Sequence, residues 1–217
     1  MIGFFHIATI GNYKSVIEEI FNSICESGIL LEINQLNICI VGNGDVNIKN
    51  NEKIIIHRLG DIGLYEFPTL QILENTAQIS DDNLFYIHTK GVGTENNECI
   101  DDWRKYMIYF IIKKYKKCNE ELDKGFDVVG VDWRNEPVGH FSGNFWWTKS
   151  SYIKSLPKIK DISQENYPRV LTLRHNAEFW IGMNKEAKIK SLWDCGINQY
   201  QRHLHRYESF NYINKDF

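Results

Sequence analysis

The most constraining feature of the sequence is a short apolar run, Leu84–Ile87, that stops abruptly at the polar residues 88–91, His-Thr-Lys-Gly. A short, aromatic-rich run of this kind predicts a buried strand. In open α/β sheets, ligands bind beyond the carboxyl ends of the strands, so residues 88–91 are expected beside a ligand. Lys90 supplies a cation and Gly91 lets backbone approach closely, which suits a diphosphate. The alternative is a basic loop that merely follows a core strand.

Strands and helices alternate along the first two thirds of the chain. Further apolar runs predict strands at Ile2–Ala8, Leu36–Val41, Lys53–His57 and Asp127–Asp132. Apolar residues at helical spacing predict helices around Val16–Ile24, at Glu66–Ile79 and at Asp101–Leu122. This alternation implies an α/β fold with a mainly parallel sheet, flanked by helices on both faces.

The character of the sequence changes after Asp132. A dense block of polar and aromatic residues occupies positions 140–147, His-Phe-Ser-Gly-Asn-Phe-Trp-Trp. Short helices are predicted at Lys149–Leu156 and Asn176–Gly182, and a last strand at Ala187–Trp193. Gly and Pro do not cluster anywhere to mark a boundary, so residues 1–217 are expected to form a single domain.

Composition excludes several classes of protein. The hydrophobic fraction of 43% and the charged fraction of 24% are those of a globular protein, and the net charge of −3 argues against a general nucleic-acid binder. The five cysteines are scattered without a C-x-x-C pair, which predicts a reducing compartment and no zinc site. Neither a signal peptide nor a transmembrane segment is predicted, so a cytoplasmic location is expected.

Common catalytic and nucleotide-binding motifs are absent. The sequence contains no G-x-G-x-x-G, no P-loop, no G-x-S-x-G and no H-E-x-x-H. A dinucleotide site is therefore not indicated. Polar residues nevertheless follow several predicted strands, at Thr9, at 42–45, at 88–91 and at Asp132. Such strand ends meet at one edge of a parallel sheet, where a nucleotide crevice would form.

Four blocks of sequence occur together: Tyr86-x-His88-Thr89-Lys90-Gly91, Asp102-Trp103-Arg104, residues 140–147, and Ala177-Glu178-Phe179-Trp180. In these blocks the chain resembles glycosyltransferases and glycosyltransferase-like proteins of bacterial and viral polysaccharide synthesis. The resemblance runs from the first strand to about Trp180. It implies the GT-A fold, a single domain that binds a nucleotide-sugar at the carboxyl edge of its sheet. Residues 1–132 would form the nucleotide-binding half, and residues 133–217 the acceptor half and C-terminal tail.

The resemblance also implies binding roles for individual residues. Thr9 would contact the nucleoside of the donor, and Asn43 or Asp45 would lie near its base or ribose. The other donor-binding residues would be His88, Thr89, Lys90, Gly91, Ser142, Gly143 and Asn144. The acceptor would contact His140, Trp146 and Trp147, although strand alternation would bury one of the two tryptophans. Thr9 and Asn43 would otherwise serve only as turn formers.

Two acidic residues are candidates for catalysis. Glu178 is similar in position to the acidic residue that serves as base in inverting members of the family, and Asp132 is the second candidate. Apolar neighbours on both sides of Glu178 predict a pKa raised towards neutrality, which suits a general base. The alternatives are an ion pair of Glu178 with Arg174 and a strand-capping role for Asp132.

The metal requirement stays open. Residues 88–90 occupy the place where many GT-A enzymes carry Asp-x-Asp, which holds a divalent metal, Mn or Mg, on the diphosphate. No Asp-x-Asp occurs anywhere in this chain. Lys90 can neutralise the charge of the diphosphate directly.

The sequence therefore predicts a hexosyltransferase that moves a sugar from a UDP- or dTDP-sugar donor to a saccharide acceptor in polysaccharide synthesis. Two alternatives remain. One is a non-catalytic nucleotide- or carbohydrate-binding domain of a polysaccharide system. The other is a nucleotidyltransferase, which shares the α/β layout but usually needs paired acids for a metal.

Overall fold

Seven strands form the central sheet of the computed structural model, which describes residues 1–94, 97–165, 167–168 and 171–215. The strands are β1 (Ile2–Ala8), β2 (Gln35–Val41), β3 (Ile54–Arg58), β4 (Asn83–His88), β5 (Val128–Gly130), β8 (Trp146–Lys149) and β9 (Ile189–Ser191). Their order across the sheet is β3-β2-β1-β4-β8-β5-β9. A separate two-stranded ribbon pairs β6 (Trp133–Arg134) with β7 (His140–Phe141).

The sheet is mostly parallel, as the alternation of strands and helices predicts. β1 pairs in parallel with both β2 and β4, β2 with β3, and β5 with β9. The exception is β8, which runs antiparallel to β4 and to β5. The C-terminal half of the chain therefore inserts one reversed strand into a sheet that the N-terminal half begins.

Helices cover both faces of the sheet. They are α1 (Tyr13–Ser27), α2 (Ile29–Glu32), α3 (Phe67–Ile79), α4 (Glu98–Ile108), α5 (Tyr115–Asp123), α6 (Ser150–Ile153), α7 (Ile159–Ile162) and α8 (Leu173–Phe179). Short 3-10 turns lie at Ile62–Leu64, Trp180–Gly182, Gln199–Leu204 and Ser209–Asn211. Among the described helices, none has the length and apolar character needed to cross a bilayer.

Strand alternation divides the core into two layers. Along β1, Phe5 and Ile7 pack into the layer that holds α1, α4 and α5, whereas Ile2 and Phe4 pack into the layer that holds α3. Successive side chains of a strand point to opposite faces, so an apolar run buried on both faces produces two cores. This arrangement confirms the prediction of a sheet flanked by helices on both faces.

The long helix predicted at Asp101–Leu122 is interrupted. The structure has two α-helices, α4 and α5, joined by a π-helical turn at Tyr109–Lys113. Within this turn the backbone N–H of Lys114 donates to the carbonyl of Tyr109, and the carbonyl of Ile111 accepts from the indole of Trp147 at 2.8 Å. A single inserted residue hardly disturbs the apolar periodicity, so the sequence pattern does not reveal it.

The predicted fifth and last strands are shorter than expected. The chain leaves β5 after Gly130, and Asp132 has a left-handed backbone conformation with φ of 54°. A residue with positive φ cannot continue an extended strand. The last strand covers only Ile189–Ser191, two residues shorter at each end than predicted, whereas the first four predicted strands agree with the structure to within one residue at each end.

Trp146 and Trp147 are both core residues, with exposed fractions of 1% and 0%. Their strand β8 lies inside the sheet, between β4 and β5, so the two indoles enter the two different core layers. The expectation that one of them is exposed was wrong, because alternation exposes a side chain only where one face of the sheet is open to solvent. Their burial also corrects the prediction that they contact an acceptor.

Candidate functional site

A crevice opens at the carboxyl ends of β1 and β4. The chain proceeds from β1 outwards to β2 and β3, then returns to β4 on the other side of β1, which makes this pair of strands the switch point of the sheet. The two strand ends are tied together. The N–H of Thr89 donates to the carbonyl of His6, and the N–H of Ala8 donates to the hydroxyl of Thr89, both at 3.0 Å.

The larger of two cavities at this edge has a volume of about 340 Å³. Its walls come from the ends of β1, β2 and β4, the segment after β3, helix α4 and one side chain of α8. The lining residues are His6, Ala8, Ile10, Val41, Ile62, Tyr65, Glu66, His88, Thr89, Lys90, Gly91, Val92, Gly93, Thr94, Ile100, Trp103 and Arg174. The donor-binding residues predicted at 88–91 therefore all line this cavity.

The smaller cavity, of about 160 Å³, is built mainly by the C-terminal half of the chain. Its lining residues are Lys90, Trp103, Pro137, His140, Ser142, Gly143, Leu171, His175, Glu178, Phe179, Gln199 and Tyr200. Lys90 and Trp103 line both cavities, so the two spaces adjoin at these side chains. His140, Ser142 and Gly143, predicted to bind ligand, are placed together here.

Lys90 lies at the junction of the two cavities. Its Nζ atom is 4.3 Å from the centroid of the Trp103 ring, within the range of a cation–π interaction. Burial lowers the pKa of Lys90, and the negative charge of Glu178 opposes that effect. The backbone is fixed as well, because the carbonyl of Lys90 accepts from Arg104 at 3.1 Å. Gly91 follows with φ of 85°, and a Cβ there would come within 2.3 Å of Ile100.

Trp103 also carries a buried hydrogen-bond donor, which lies next to Gly143. Its indole N–H is buried and has no partner in the described part of the chain. A Cβ placed on Gly143 would lie 3.1 Å from that nitrogen and 2.4 Å from the sulfur of Met107, so only glycine fits there. A buried donor without a partner is costly, so the packing of Trp103 against Gly143 is a destabilising feature of the junction.

His88 joins β4 to the turn at residues 142–144. Its Nε2 atom lies 2.9 Å from the carbonyl oxygen of Gly143. Burial, together with the positive charge of Lys90, lowers the pKa of His88 to about 3, so the ring is neutral at pH 7. A neutral ring in this position carries its proton on Nε2 and donates it to the carbonyl. His88 therefore acts as a rigid neutral link between the two halves of the site.

Glu178 lies beside two cations. Its carboxylate is 3.2 Å from Arg174 on the same helix, the ion pair that the sequence offered as an alternative. Burial raises the pKa of Glu178, but the charges of Lys90 and Arg174 outweigh burial and hold the pKa below its usual range. The prediction of a raised pKa was wrong, because the sequence did not show that Lys90 lies beside this helix. Glu178 is thus an ionised carboxylate that lines the smaller cavity.

Asp132 is buried behind the site and lines neither cavity. Its Oδ1 accepts from the N–H of Cys195 at 2.8 Å, and its Oδ2 lies 3.6 Å from the guanidinium of Arg202. Burial raises the pKa of Asp132. Arg202 is itself 1% exposed and packs between the rings of Trp103 and Tyr106. This geometry favours a strand-capping role for Asp132 over a catalytic one.

Among the described residues, arginines hold the acidic cluster whose spacing would suit a metal. One group, Asp132, Asp194 and Cys195, has three ligand atoms within 4.8 Å of one another. However, Asp194 is held by Arg134 at 2.5 Å, and Asp132 has the guanidinium groups of both Arg134 and Arg202 at 3.6 Å. Such cations repel a metal ion. The described lining residues supply one carboxylate to each cavity, Glu66 and Glu178, rather than a pair.

None of the three residues predicted to contact the nucleoside, Thr9, Asn43 and Asp45, lines either cavity. The hydroxyl of Thr9 donates to the carbonyl of Val41 and accepts from the N–H of Gly44, so it organises the turn after β2. Asn43 is exposed in that turn. Asp45 lies on a neighbouring groove formed with α1, and its carbonyl accepts from Tyr13.

Asn144, predicted to bind the donor, lines neither cavity and instead makes hydrogen bonds to buried side chains. It adopts a left-handed conformation, with φ of 58°, and its side chain bridges Glu66 and Trp146 at 2.7 and 2.8 Å. The carboxylate of Glu66 also accepts from the hydroxyl of Tyr86 at 2.8 Å. Sequence reasoning did not include Glu66, Trp103 or Arg174 in the site. Trp103 belongs to the Asp-Trp-Arg block, and this block is the sequence signal that points to it. The sequence indicates Arg174 only as an ion-pair partner of Glu178.

A protein-family model described as "Domain of unknown function (DUF8361)" matches residues 41–202 of the 217-residue chain. Because the match covers well over half of its length, the chain belongs to this family. The matched range contains every lining residue of both cavities except His6, Ala8 and Ile10 of the first strand and its loop. Comparison with curated proteins gives no match.

The neutral buried histidines make stability depend on pH. The folded-state pKa values of His6 and His88 are about 4 and about 3, below the ordinary value of 6.5. The unfolded chain therefore binds more protons, and the free energy of unfolding falls as pH drops below about 6.5. Each histidine adds a slope of up to about 1.4 kcal/mol per pH unit. We expect His88→Gln, whose amide can still donate to Gly143, to have a shallower slope between pH 6.5 and 5.

Urea unfolding at several pH values measures this slope. His205→Gln, which removes an exposed histidine, serves as the control. Parallel curves for wild type and His88→Gln would contradict a neutral His88.

Proposed function

We propose that this member of the DUF8361 family is a glycosyltransferase that moves a sugar from a UDP- or dTDP-sugar to a saccharide acceptor. The observation that carries the proposal is the junction of two cavities at Lys90 and Trp103. A transferase needs its donor and acceptor in adjoining spaces, with the leaving group next to positive charge. The four sequence blocks that resemble polysaccharide-synthesis glycosyltransferases support the same assignment.

The larger cavity suits the donor. Its volume of about 340 Å³ lies within the usual range for small-molecule sites, and it opens at the carboxyl ends of β1, β2 and β4. Lys90 and Arg174 both line it, so two cations are available to a diphosphate. This placement supports the finer proposal of a GT-A fold, because the resemblance expects the nucleotide-sugar at this edge of the sheet.

The proposed reaction is a single displacement at the anomeric carbon of the donor sugar. The acceptor hydroxyl oxygen forms the new bond to that carbon, and the bond between the carbon and the diphosphate oxygen breaks. The diphosphate leaves with the electron pair, and Lys90 and Arg174 stabilise its charge. The hydroxyl proton passes to Glu178, whose ionised carboxylate lines the acceptor cavity. No step of the proposed reaction is routed through a metal, because Lys90 and Arg174 supply positive charge to the leaving group.

A cytoplasmic setting and a role in polysaccharide synthesis belong to the same proposal. All five cysteines are free, which suits a reducing compartment.

The rival function is a non-catalytic nucleotide- or carbohydrate-binding domain. Hydrolysis of a UDP- or dTDP-sugar in the absence of acceptor separates the two, because water can replace the acceptor hydroxyl only at a catalytic centre. We expect slow release of the free nucleoside diphosphate. Binding of the nucleotide-sugar without any release, with or without saccharide acceptors, would favour the binding domain.

Lys90→Ala should weaken diphosphate binding more than nucleoside binding. Loss of a charged hydrogen bond costs about 1.5–3 kcal/mol, which corresponds to roughly 10- to 150-fold in Kd for UDP or dTDP. Because the lost interaction acts through charge, the difference from wild type should shrink as salt rises. For wild type, a ligand at about a hundred times its Kd should add about 2.7 kcal/mol to the free energy of unfolding.

Calorimetric titration of UDP, dTDP and the free nucleosides measures these effects. Lys160→Ala removes an exposed lysine and is the matched control. Equal affinity of Lys90→Ala and wild type for the diphosphates would show that Lys90 is only a loop residue.

Glu178→Gln should retain donor binding and lose transfer to the acceptor. General base catalysis is worth typically 10²–10⁴ in rate, so turnover should fall by about that factor. If Glu178 served only its ion pair with Arg174, the variant would instead lose at most about 1 kcal/mol of stability and keep its turnover. Transfer rate and melting temperature, measured in the same variant, decide between the two. Glu186→Gln, at an exposed position, is the control.

A further inference from the structure

Tyr65 has a backbone conformation that is rare for a residue other than glycine. It lies directly after the 3-10 turn Ile62–Leu64, with φ of 52° and ψ of −137°. Asp and Asn tolerate positive φ, as Asp132 and Asn144 do here, but a bulky aromatic residue rarely adopts it. This particular combination of angles is one that glycine usually occupies in a turn.

The surrounding structure holds Tyr65 in this conformation from both sides. Before it, the carbonyl of Gly60 accepts from the N–H of Gly42 at 2.8 Å, which ties the segment to the end of β2. After it, the carboxylate of Glu66 accepts from Tyr86 and Asn144 at 2.8 and 2.7 Å. Strained residues persist where neighbours fix them in this way, and they concentrate at ligand sites.

The strain places an aromatic residue at the rim of the larger cavity. Tyr65 lines that cavity and remains 43% exposed. Ile10, which also lines it, is equally exposed at 43%, and Ile62 adds a third apolar wall. Such side chains usually pack into a core, so their exposure beside a cavity marks an apolar patch suited to a flat ring.

Tyr65 and Lys90 line the same cavity, so one ligand can contact both side chains. Tyr65 lies in the segment after β3, whereas Lys90 follows β4. A nucleoside diphosphate offers both complementary groups, because its base is a flat ring and its diphosphate carries negative charge.

We propose that Tyr65 is the stacking platform for the base of a nucleoside diphosphate, with Ile10 and Ile62 as its apolar neighbours. The inference rests on the proposed function, which supplies the nucleotide. Stacking on an aromatic ring depends little on which base is bound. Tyr65 therefore contributes affinity for the nucleoside and does not choose between uridine and thymidine.

Three substitutions separate the ring from the backbone. Tyr65→Gly removes the ring and suits the observed angles, Tyr65→Ala removes the ring and keeps the strain, and Tyr65→Phe keeps the ring. We expect the Gly and Ala variants to bind UDP and dTDP roughly 5- to 150-fold more weakly than wild type, and the Phe variant to bind normally. Inorganic pyrophosphate should bind equally to all four proteins. The Gly variant should melt at a higher temperature than the Ala variant.

The outcomes that overturn the inference are distinct. Wild-type affinity of Tyr65→Gly for UDP would show that the ring contributes nothing. Weak binding by the Ala variant alone would assign the effect to the backbone. A parallel loss of pyrophosphate affinity would show that the whole site is distorted. If wild type binds no nucleoside diphosphate, the proposed function fails together with the inference; if wild type binds and Tyr65→Gly binds equally, only the role of Tyr65 fails.

Discussion

The site depends on one buried carboxylate, that of Glu66 at the start of helix α3. Its Oε2 atom accepts from the hydroxyl of Tyr86 on β4 and from the amide of Asn144, while the amide oxygen of Asn144 accepts from the indole of Trp146. These four side chains come from three distant parts of the chain and are all buried. A buried network in which the polar groups are satisfied rigidifies its surroundings, whereas losing one member leaves uncompensated polar atoms.

This network fixes the turn at residues 142–144, of which Ser142 and Gly143 line the smaller cavity. Asn144 can hold its left-handed conformation because both ends of its amide are engaged, and the turn then brings the carbonyl of Gly143 to the ring of His88. Gly143 in turn lies against Trp103 and Met107 with no room for a side chain. The geometry of the cavity junction thus follows from hydrogen bonds between buried side chains, and these hydrogen bonds place the groups that line the cavities.

Much of the fold was predictable because local patterns suffice for it. The apolar runs predicted β1 and β4 almost to the residue, and α1 ends at a glycine, Gly28, with positive φ. The paired burial of Trp146 and Trp147 was not predictable, since it depends on where the reversed strand enters the sheet. That position is a property of topology, which no local pattern encodes.

The site was predictable only in part, for a similar reason. The polar residues 88–91 were identifiable because a strand end in an α/β sheet faces a crevice whatever its neighbours are. The charge state of Glu178 was not, because it depends on cations that lie far away in sequence. Lys90 lies in the turn after β4, and only the folding of the chain brings it close to helix α8. Glu66 was missed because a carboxylate within an apolar helix start resembles an ordinary surface acid.

The lowered pKa of Glu178 has a consequence for the proposed reaction. A carboxylate that cations stabilise is a weak base, and in the free protein Lys90 and Arg174 hold the pKa down. Those same cations are the ones that a bound diphosphate would engage. Its negative charge would offset theirs, so the pKa of Glu178 would rise when the donor occupies the larger cavity. Within the proposed function, the base becomes stronger only when there is a sugar to transfer. The charge arrangement of the junction thereby couples acceptor activation to the presence of the donor, without any movement of the chain.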